Sequence, residues 1–373
     1  MQQTMIQCEN NYESLDVFFQ AFAGKAILLV HDSSLAFLKI KTYFETLERR
    51  LKVSVVPFQD FQPNPLYESV VAGVSLFREK NCQGIIAVGG GSAMDVAKCI
   101  KLYATMSPDR SYLQQEIVPN KIPLAAVPTT AGTGSEATRY AVIYAKGEKQ
   151  SITHESCIPQ VVIFDPSVLE TLPLYQKKAT MLDALCHAVE SAWSVNATDE
   201  SLVLSRQALE LLLQSKNAYL ANERQGNTGM QMAANLAGKA INITQTTAGH
   251  AMCYKLTSLF HIAHGHAAAL CVAQLWPYMI HHREECIDER GEGYLNEIFR
   301  ELSRCFGGTG IEEGARQFQA LLAELDFAPL HMTDPAQLEE LVKSVNLVRL
   351  KNNPIPLSQE TLFEMYKNIL NIQ

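Results

Sequence analysis

The sequence predicts a Rossmann-like α/β domain followed by an all-helical domain. In the first half, short apolar runs alternate with amphipathic stretches, a pattern typical of a mostly parallel sheet with helices on both faces. After about residue 173, long helical stretches replace the strand-like runs. A chain of 373 residues can form two hydrophobic cores. We therefore expect two domains, residues 1–173 and residues 174–373.

The strands predicted in the first domain are short, apolar and bounded by Gly, Pro or Asp, as expected for strands buried in a parallel sheet. They cover Ala26–His31, Val53–Pro57, Gly84–Val88, Pro123–Val127, Val142–Tyr144 and Val161–Phe164. Helices are predicted between them where apolar residues recur at helical spacing. These helices cover Ser34–Arg50, Tyr67–Lys80 and Ser92–Thr105.

Helical spacing of apolar residues dominates the second domain. The predicted helices cover Lys177–Val195, Glu200–Leu220, Gly229–Ala240, Ala248–Phe260, His266–His281, Tyr294–Cys305, Glu312–Leu325, Pro335–Ser344 and Glu360–Leu370. The most apolar run, Ala267–Ile280, is too short to cross a bilayer and fits a buried helix instead. No membrane partner is therefore expected.

Charge and cysteine usage narrow the function classes. The net charge of −8 argues against a nucleic-acid partner. The nine cysteines include no CxxC pair, which indicates free thiols in a reducing compartment. The amino-terminal stretch lacks the basic start and apolar core of a signal peptide. We therefore expect a cytoplasmic protein that acts on small molecules.

The first glycine-rich segment, GGGSAMDVAK (Gly89–Lys98), follows a predicted strand and opens a helix. Glycines allow close backbone approach, and helix N-terminal amides favour an anion such as a cofactor pyrophosphate. The segment is neither the GxGxxG fingerprint, nor a P-loop, nor a GxSxG nucleophile elbow. The alternative is a plain tight turn in which Ser92 caps the helix.

The second glycine-rich segment, PTTAGTGSEAT (Pro128–Thr138), also follows a predicted strand, and its hydroxyls suit phosphate and ribose contacts. A surface loop is the alternative. Asp32 ends the first apolar strand, where an acid can accept hydrogen bonds from ribose hydroxyls and repel a 2′-phosphate. That position favours NAD(H) over NADP(H), although Asp32 could equally cap the next helix.

Four residues in the second domain form a plausible metal cage. Asp183 and His187 are four residues apart, so their side chains share one helix face. His250 and His264 lie in Thr246–Ala269, which contains four of the ten histidines. One carboxylate with imidazoles suits Fe²⁺, Zn²⁺, Mn²⁺ or Co²⁺. Each histidine alone could instead be a core or surface residue.

These segments, in this order, resemble the iron-containing (group III) alcohol dehydrogenases: GGGSAMDVAK, PTTAGTGSEAT, DALCHAVES and the HGHA stretch. The similarity runs from about Ala26 to Leu357 and ends in NNPIPLSQETL. The resemblance implies the dehydroquinate synthase-like fold, with a Rossmann-like domain, a helical domain and a cleft between them. It also implies hydride transfer between a nicotinamide cofactor and a small aldehyde or alcohol.

The resemblance also implies specific site residues. A divalent metal, usually iron, would be held by Asp183, His187, His250 and His264. The cofactor would contact Asp32, Asn64, Gly90, Gly91, Ser92, Asp95, Thr129, Thr130 and Thr133, with Lys149 nearby. We also expect a homodimer.

One departure from the family pattern concerns proton transfer. Most members have a second histidine four residues after the third metal ligand, a position often assigned to proton relay, and here it is Tyr254. We expect Tyr254 to be catalytic, with His266 or His261 as the alternative proton donor.

The substrate is expected to be small and anionic. The variants SEATRYAVIY, ESAWSVNATDES and YKLTSLFHIAHGHA resemble a subgroup of the family, the phosphonoacetaldehyde reductases. A phosphonate needs cations, and Arg139 and Lys255 are the candidates, although each could be a solvated surface charge. Competing interpretations are a glycerol dehydrogenase-like polyol oxidation, a non-redox dehydroquinate synthase-like lyase, and a binding module without catalysis.

Overall fold

A parallel sheet organises the amino-terminal part of the chain in the computed structural model, which describes residues 3–8, 11–345 and 350–372. The strands are β1 (Thr4–Gln7), β2 (Ala26–His31), β3 (Ser54–Phe58), β4 (Cys82–Gly89), β5 (Leu124–Pro128), β6 (Tyr140–Ala145), β7 (Glu148–Thr153) and β8 (Val161–Phe164). Six of them form one sheet in the order β1-β8-β5-β4-β2-β3, and every pairing in it is parallel. Strands β5, β4 and β2 are neighbours, so their carboxyl ends share one edge.

Helices pack on this sheet because its central strands are apolar on both faces. They are α1 (Asp16–Phe19), α2 (Ile40–Leu51), α3 (Tyr67–Glu79) and α4 (Gly91–Tyr103). Strand β5 is buried along its whole length, and so are most residues of β4 and α4. The core between them includes Val74, Ile85, Val96 and Ile100, all fully buried. This packing fixes where α4 begins, immediately after β4.

Some details of the first half differ from the sequence prediction. Strands β1 and β7 were not predicted, because β1 has only four residues and β7 is mostly polar. Strand β6 was expected in the parallel sheet, but it pairs antiparallel with β7 in a separate hairpin. The single helix predicted over Ser34–Arg50 is divided by the extended residue Leu38 into a 3₁₀ helix, Ser33–Phe37, and α2.

Every strand or helix described in the second half is a helix. After α5 (Leu174–Trp193), α6 (Asp199–Leu220) and α7 (Arg224–Thr244), the helices are α8 (Ala248–Phe260), α9 (His264–His281), α10 (Gly291–Cys305), α11 (Glu313–Glu324), α12 (Ala336–Ser344) and α13 (Gln359–Ile369). Each corresponds to one predicted helix. In the part of the chain that the structure describes, no helix is long and apolar enough to span a membrane.

The chain divides into two compact units. The first comprises Met1–Leu172 and Ala221–Gln231, and the second comprises Pro173–Leu220 and Met232–Gln373. The start of α7 therefore belongs with the sheet, although it lies well beyond the domain boundary predicted from the sequence. Gln231 anchors it there by donating to the carbonyl oxygens of Pro128 (3.3 Å) and Asp165 (3.2 Å).

Close packing of α9 against α5 in the second unit depends on Gly265. A Cβ atom at this position would lie 2.0 Å from the carbonyl oxygen of Ala179 and 2.6 Å from the Cβ of Asp183. The obstacle is partly backbone, so the two helices would have to separate. Asp183 and the first turn of α9 consequently owe their spacing to this glycine.

We predict that Gly265→Ala lowers the free energy of unfolding by roughly 3 kcal/mol, the upper range for overpacking a well-packed core. Gly293→Ala is the matched control, because a Cβ in that helical position meets nothing within 4 Å. Removing a helical glycine there should stabilise by about 0.5–1 kcal/mol. Urea unfolding of both variants provides the measurement, and equal effects would contradict the packing argument.

Candidate functional site

Three predicted metal ligands converge in the interior of the second unit. Asp183 and His187 come from one face of α5, and His250 comes from the first turn of α8. Their ligand atoms all lie within 4.8 Å of one another, and all three residues are buried. Asp183 Oδ1 is 3.4 Å from His250 Nε2 and 3.8 Å from His187 Nε2. This is the spacing of groups that face a common point.

His264, the fourth predicted ligand, lies beside this cluster as the first residue of α9. Its ring centroid is 5.4 Å from that of His250. Its Nδ1 atom is 3.6 Å from the sulfur of Cys253, which lies one turn after His250 on α8. The helices α5, α8 and α9 thus bring together all four residues that the sequence singled out.

The electrostatics of the cluster suit a divalent cation. Burial raises the pKa of Asp183, but the imidazoles of His187, His250 and His264 outweigh burial and hold that pKa well below its usual range. The carboxylate is therefore ionised. One ionised carboxylate with several imidazoles is a donor set that Fe²⁺, Zn²⁺ and similar ions accept. The residues present therefore fit the metal that the sequence predicts.

Glu190 is a buried partner of this cluster that sequence reasoning missed. Its Oε1 accepts hydrogen bonds from the backbone N of Thr247 (3.1 Å), the Thr247 hydroxyl (2.7 Å) and the backbone N of His250 (3.2 Å), and its Oε2 pairs with His250 Nδ1. Asp183, His187 and Glu190 are spaced i, i+4, i+7, so they share one face of α5. That spacing was the available signal.

The Glu190 contact defines which nitrogen of His250 is available. Burial raises the pKa of Glu190, but the His250 charge and the hydrogen bonds outweigh it and lower that pKa overall. An ionised carboxylate only accepts hydrogen bonds, so His250 Nδ1 carries the proton. Burial lowers the pKa of His250, yet Glu190 and Asp183 raise it overall to about 9. Nε2 faces Asp183 and is the candidate ligand atom, where a metal ion would replace the proton.

The two predicted proton donors have different surroundings. Tyr254 is half-buried, and its ring centroid is 5.4 Å from that of His264. His266 stacks on Phe327, with 3.9 Å between ring centroids, and its Nδ1 is 3.4 Å from the Tyr175 hydroxyl. Burial lowers the pKa of His266 to about 4. Near neutral pH, His266 is therefore uncharged and a poor acid.

In the first unit, Asp32 follows β2 and connects two neighbouring segments. Its Oδ1 accepts a hydrogen bond from the backbone N of Ser34 (2.9 Å), so it caps the following 3₁₀ helix, as one of the two sequence interpretations required. Its Oδ2 accepts a longer one from the backbone N of Gly90 (3.4 Å). Gly89 has φ +157, and a Cβ there would lie 2.7 Å from Asp32 Oδ2. Glycine is required at this turn.

The two glycine-rich segments touch each other at the carboxyl edge of the sheet. The backbone N of Thr129 donates to the Gly89 carbonyl oxygen (3.0 Å). A Cβ on Gly90 would lie 3.4 Å from Thr130 Cγ2, and one on Gly91 would lie 3.3 Å from Thr133 Cγ2. These backbone and hydroxyl groups, at the start of α4, form the kind of surface that binds an anion.

The remaining predicted cofactor residues lie around these segments. Ser92 is half-buried in the first turn of α4, and Asn64 adopts a left-handed backbone (φ 60) in the loop before α3. Lys149 is on β7, opposite Tyr144. Asp95 accepts hydrogen bonds from the Ser135 hydroxyl and the backbone N of Val142, each at 3.0 Å, and burial raises its pKa to about 6. Its carboxylate is thus engaged within the protein.

Both cations predicted to bind a substrate anion form ion pairs. Arg139 Nη1 is 2.9 Å from Glu155 Oε1, and Lys255 Nζ is 2.5 Å from Glu340 Oε1. The carboxylates of both pairs are at least half exposed. Exposed pairs of this kind contribute little stability, so a substrate anion could replace the carboxylate at small cost.

Comparison with protein families identifies both units. A family model described as "Iron-containing alcohol dehydrogenase" matches residues 3–166. A second, described as "Fe-containing alcohol dehydrogenase family, C-terminal", matches residues 177–370. The two matches together cover almost the whole chain and confirm the resemblance seen in the sequence.

Individual relatives agree. A phosphonoacetaldehyde reductase of Streptomyces viridochromogenes is 29% identical over 311 residues, 79% of this chain and 78% of that protein. A probable alcohol dehydrogenase of Salmonella typhimurium, EutG, is 36% identical over 311 residues, 81% of this chain and 76% of that protein. A solved sulfoacetaldehyde reductase of Bifidobacterium kashiwanohense, in complex with NAD⁺, has a TM-score of 0.86 at 24% identity, covering 100% of this chain and 98% of that one.

The last likeness bears on the fold alone, and it confirms the predicted fold class. The family matches identify the protein family, because the matched residues include both glycine-rich segments and the four predicted metal ligands. The chain therefore belongs to the iron-containing alcohol dehydrogenase family and is an oxidoreductase of that family.

Proposed function

We propose that this protein reduces a small anionic aldehyde with NADH, and that phosphonoacetaldehyde is the first substrate to test. The observation that carries the proposal is the buried cluster of Asp183, His187 and His250, with His264 beside it. The similarity to a phosphonoacetaldehyde reductase supports the substrate class. The product would be the corresponding alcohol, 2-hydroxyethylphosphonate.

The four clustered residues would hold the metal, with iron as the family's usual ion. When bound, a divalent cation supplies Lewis-acid chemistry, which stabilises negative charge on the carbonyl oxygen. Asp183 contributes an ionised carboxylate, and His250 presents Nε2 because Glu190 occupies its other nitrogen. Zn²⁺ and related ions suit the same donors. The protein's part is to keep these donors in place before the metal arrives.

The glycine-rich segments would bind the nicotinamide cofactor. Backbone amides at Gly90 and Gly91 open α4 and suit a pyrophosphate, and the hydroxyls of Thr130 and Thr133 lie against them. Asp32 directly follows β2 with its carboxylate at the same turn, where it would repel a 2′-phosphate. These features favour NAD(H). Orientation of the nicotinamide towards the aldehyde would supply much of the rate.

Tyr254 is the proton donor that we propose. A reduced carbonyl becomes an alkoxide, which needs a proton from a nearby acid. Tyr254 carries a hydroxyl and packs near the ring of His264. His266 is less suited because burial lowers its pKa to about 4. Assembly as a homodimer in the cytoplasm remains a prediction from the sequence.

The direct test is consumption of NADH by protein loaded with Fe²⁺, using phosphonoacetaldehyde and neutral aldehydes in parallel. We expect net NADH oxidation, which a non-redox lyase or a binding module would not give. Asp183→Ala should lose bound metal and activity together, since it removes the only carboxylate of the four ligands. Ser191→Ala, a buried change on the same helix, is the control. Metal-free protein with full activity would contradict the proposal.

Arg139→Ala tests the anionic substrate. We expect its KM for phosphonoacetaldehyde to rise roughly tenfold or more, as for loss of a charge-assisted hydrogen bond, with little change for propanal. Glu155→Gln is the matched variant, because it releases Arg139 from its ion pair and keeps the cation. Its KM for phosphonoacetaldehyde should stay the same or fall. Equal effects of Arg139→Ala on both aldehydes would remove Arg139 from the substrate site.

Glu190→Gln tests the positioning of His250. The amide has one oxygen where the carboxylate has two, so it cannot accept both from His250 Nδ1 and from the Thr247 and His250 backbone donors, and the imidazole loses its fixed tautomer. We expect the metal dissociation constant to rise roughly 10–100-fold, the usual effect of losing such a partner. Chelator competition measures it, with circular dichroism as a check on folding and Ser191→Ala as the control. Unchanged metal affinity in folded Glu190→Gln would show that Glu190 serves only packing.

A further inference from the structure

We propose that Lys98 and Asp95, on α4, position the second glycine-rich segment, Pro128–Thr138, for cofactor binding. Neither residue would itself contact the cofactor. The proposal rests on the cofactor site proposed above. It gives Asp95 a different role from the direct cofactor contact that the family resemblance implies. All the contacts that carry it lie within the first unit.

Lys98 is a fully buried lysine whose ammonium group is saturated by this segment and its continuation. Its Nζ donates to the Ser135 hydroxyl (3.0 Å), the Thr138 hydroxyl (3.2 Å) and the carbonyl oxygen of Tyr140 (2.7 Å). An ammonium has three protons, and each has an acceptor here. Two of the three acceptors are side chains of the second glycine-rich segment.

Asp95 completes the arrangement one helical turn earlier on α4. Its Oδ1 accepts from the Ser135 hydroxyl (3.0 Å), and its Oδ2 accepts from the backbone N of Val142 at the start of β6 (3.0 Å). The Ser135 hydroxyl therefore accepts from Lys98 and donates to Asp95. One serine in the segment is fixed by two opposite charges on the same helix.

This network joins the two glycine-rich segments in a defined geometry. Helix α4 carries Gly90 and Gly91 at its start, and its next two turns carry Asp95 and Lys98. The second segment, which follows β5, contains mainly bends and a single 3₁₀ helix, so few backbone hydrogen bonds define its shape. The side chains of α4 therefore supply the contacts that regular structure would otherwise provide.

A contribution to folding stability does not by itself explain why Asp95 and Lys98 are buried. Taking charges out of water is costly, and apolar residues of similar volume usually stabilise a core as well or better. A fully satisfied buried polar network instead fixes one arrangement of the groups that it joins. Binding a cofactor requires that kind of fixed arrangement, because the loop hydroxyls must already point at the ligand.

Lys101 provides a matched control on the same helix. It is 1% exposed, compared with 0% for Lys98, so both side chains are buried. The Lys101 ammonium donates to the carbonyl oxygen of Ser156, beyond β7, rather than to the second glycine-rich segment. Lys98→Met and Lys101→Met thus make the same chemical change in the same helix.

The experiment compares these two variants by thermal unfolding, calorimetric titration with NADH, and hydrogen exchange of the cofactor-free protein. We expect both variants to lose thermal stability. Only Lys98→Met should raise the NADH dissociation constant, roughly tenfold or more, because it removes hydrogen bonds that order the segment. Amides of Thr129–Thr138 should exchange faster in Lys98→Met than in Lys101→Met.

Ser135→Ala gives a milder second variant in case Lys98→Met does not fold. It removes the shared hydroxyl and keeps both charges, so NADH binding should weaken in the same direction. Equal NADH affinities and exchange rates in the Lys98 and Lys101 variants would overturn the proposal, as would wild-type binding by Ser135→Ala. If the unaltered protein fails to bind NADH, the proposed cofactor site itself is wrong. The exchange rates of Thr129–Thr138 then still report whether Lys98 orders the segment.

Discussion

The ionised carboxylate of Asp183 in the interior of the helical unit is the constraint on which that unit depends. A buried charge is tolerated only when opposite charges and hydrogen bonds surround it. Histidines from three helices supply them, so α5, α8 and α9 must approach one another closely. Glycines allow this approach: a Cβ on Gly249 would lie 2.6 Å from Val272 Cγ2, and Gly265 has even less room. The cluster of Asp183 and the histidines therefore requires the same small residues that the close helix packing requires.

In the sheet unit, charged side chains also contact the residues of the candidate site. Its candidate cofactor-binding groups lie just after β2, β4 and β5, at the carboxyl edge of the sheet. Asp32 accepts a hydrogen bond from the first glycine-rich segment. Asp95 and Lys98 both bond to the hydroxyl of Ser135 in the second. In both units, a buried charged side chain contacts a residue of the candidate site. Glu190 contacts His250 in one unit, and Lys98 contacts the second glycine-rich segment in the other.

Local patterns in the sequence were sufficient to predict most of the fold and part of the site. Apolar runs and helical spacing located every described α-helix except the four-residue α1, and six of the eight described strands. The i, i+4 pair on α5 located two of the clustered residues. Glu190 was missed because its partner, His250, is 60 residues away in the chain. The ion pairs of Arg139 and Lys255 were missed for the same reason, since Glu155 and Glu340 are remote in sequence. Periodicity reports which face of an element is buried, whereas pairing between elements depends on the tertiary fold.

Tyr254 is the position at which the sequence departs from the pattern of the family that it resembles, in which most members have a histidine there. An imidazole there would lie next to His264 and, as the commonest metal-binding side chain, could compete for the ion. A neutral phenol is a much weaker ligand but still offers a proton. Burial lowers the pKa of His266 to about 4, which makes His266 the less suited candidate for proton donation. In the function proposed above, the buried cluster therefore holds the metal and a separate residue, Tyr254, donates the proton.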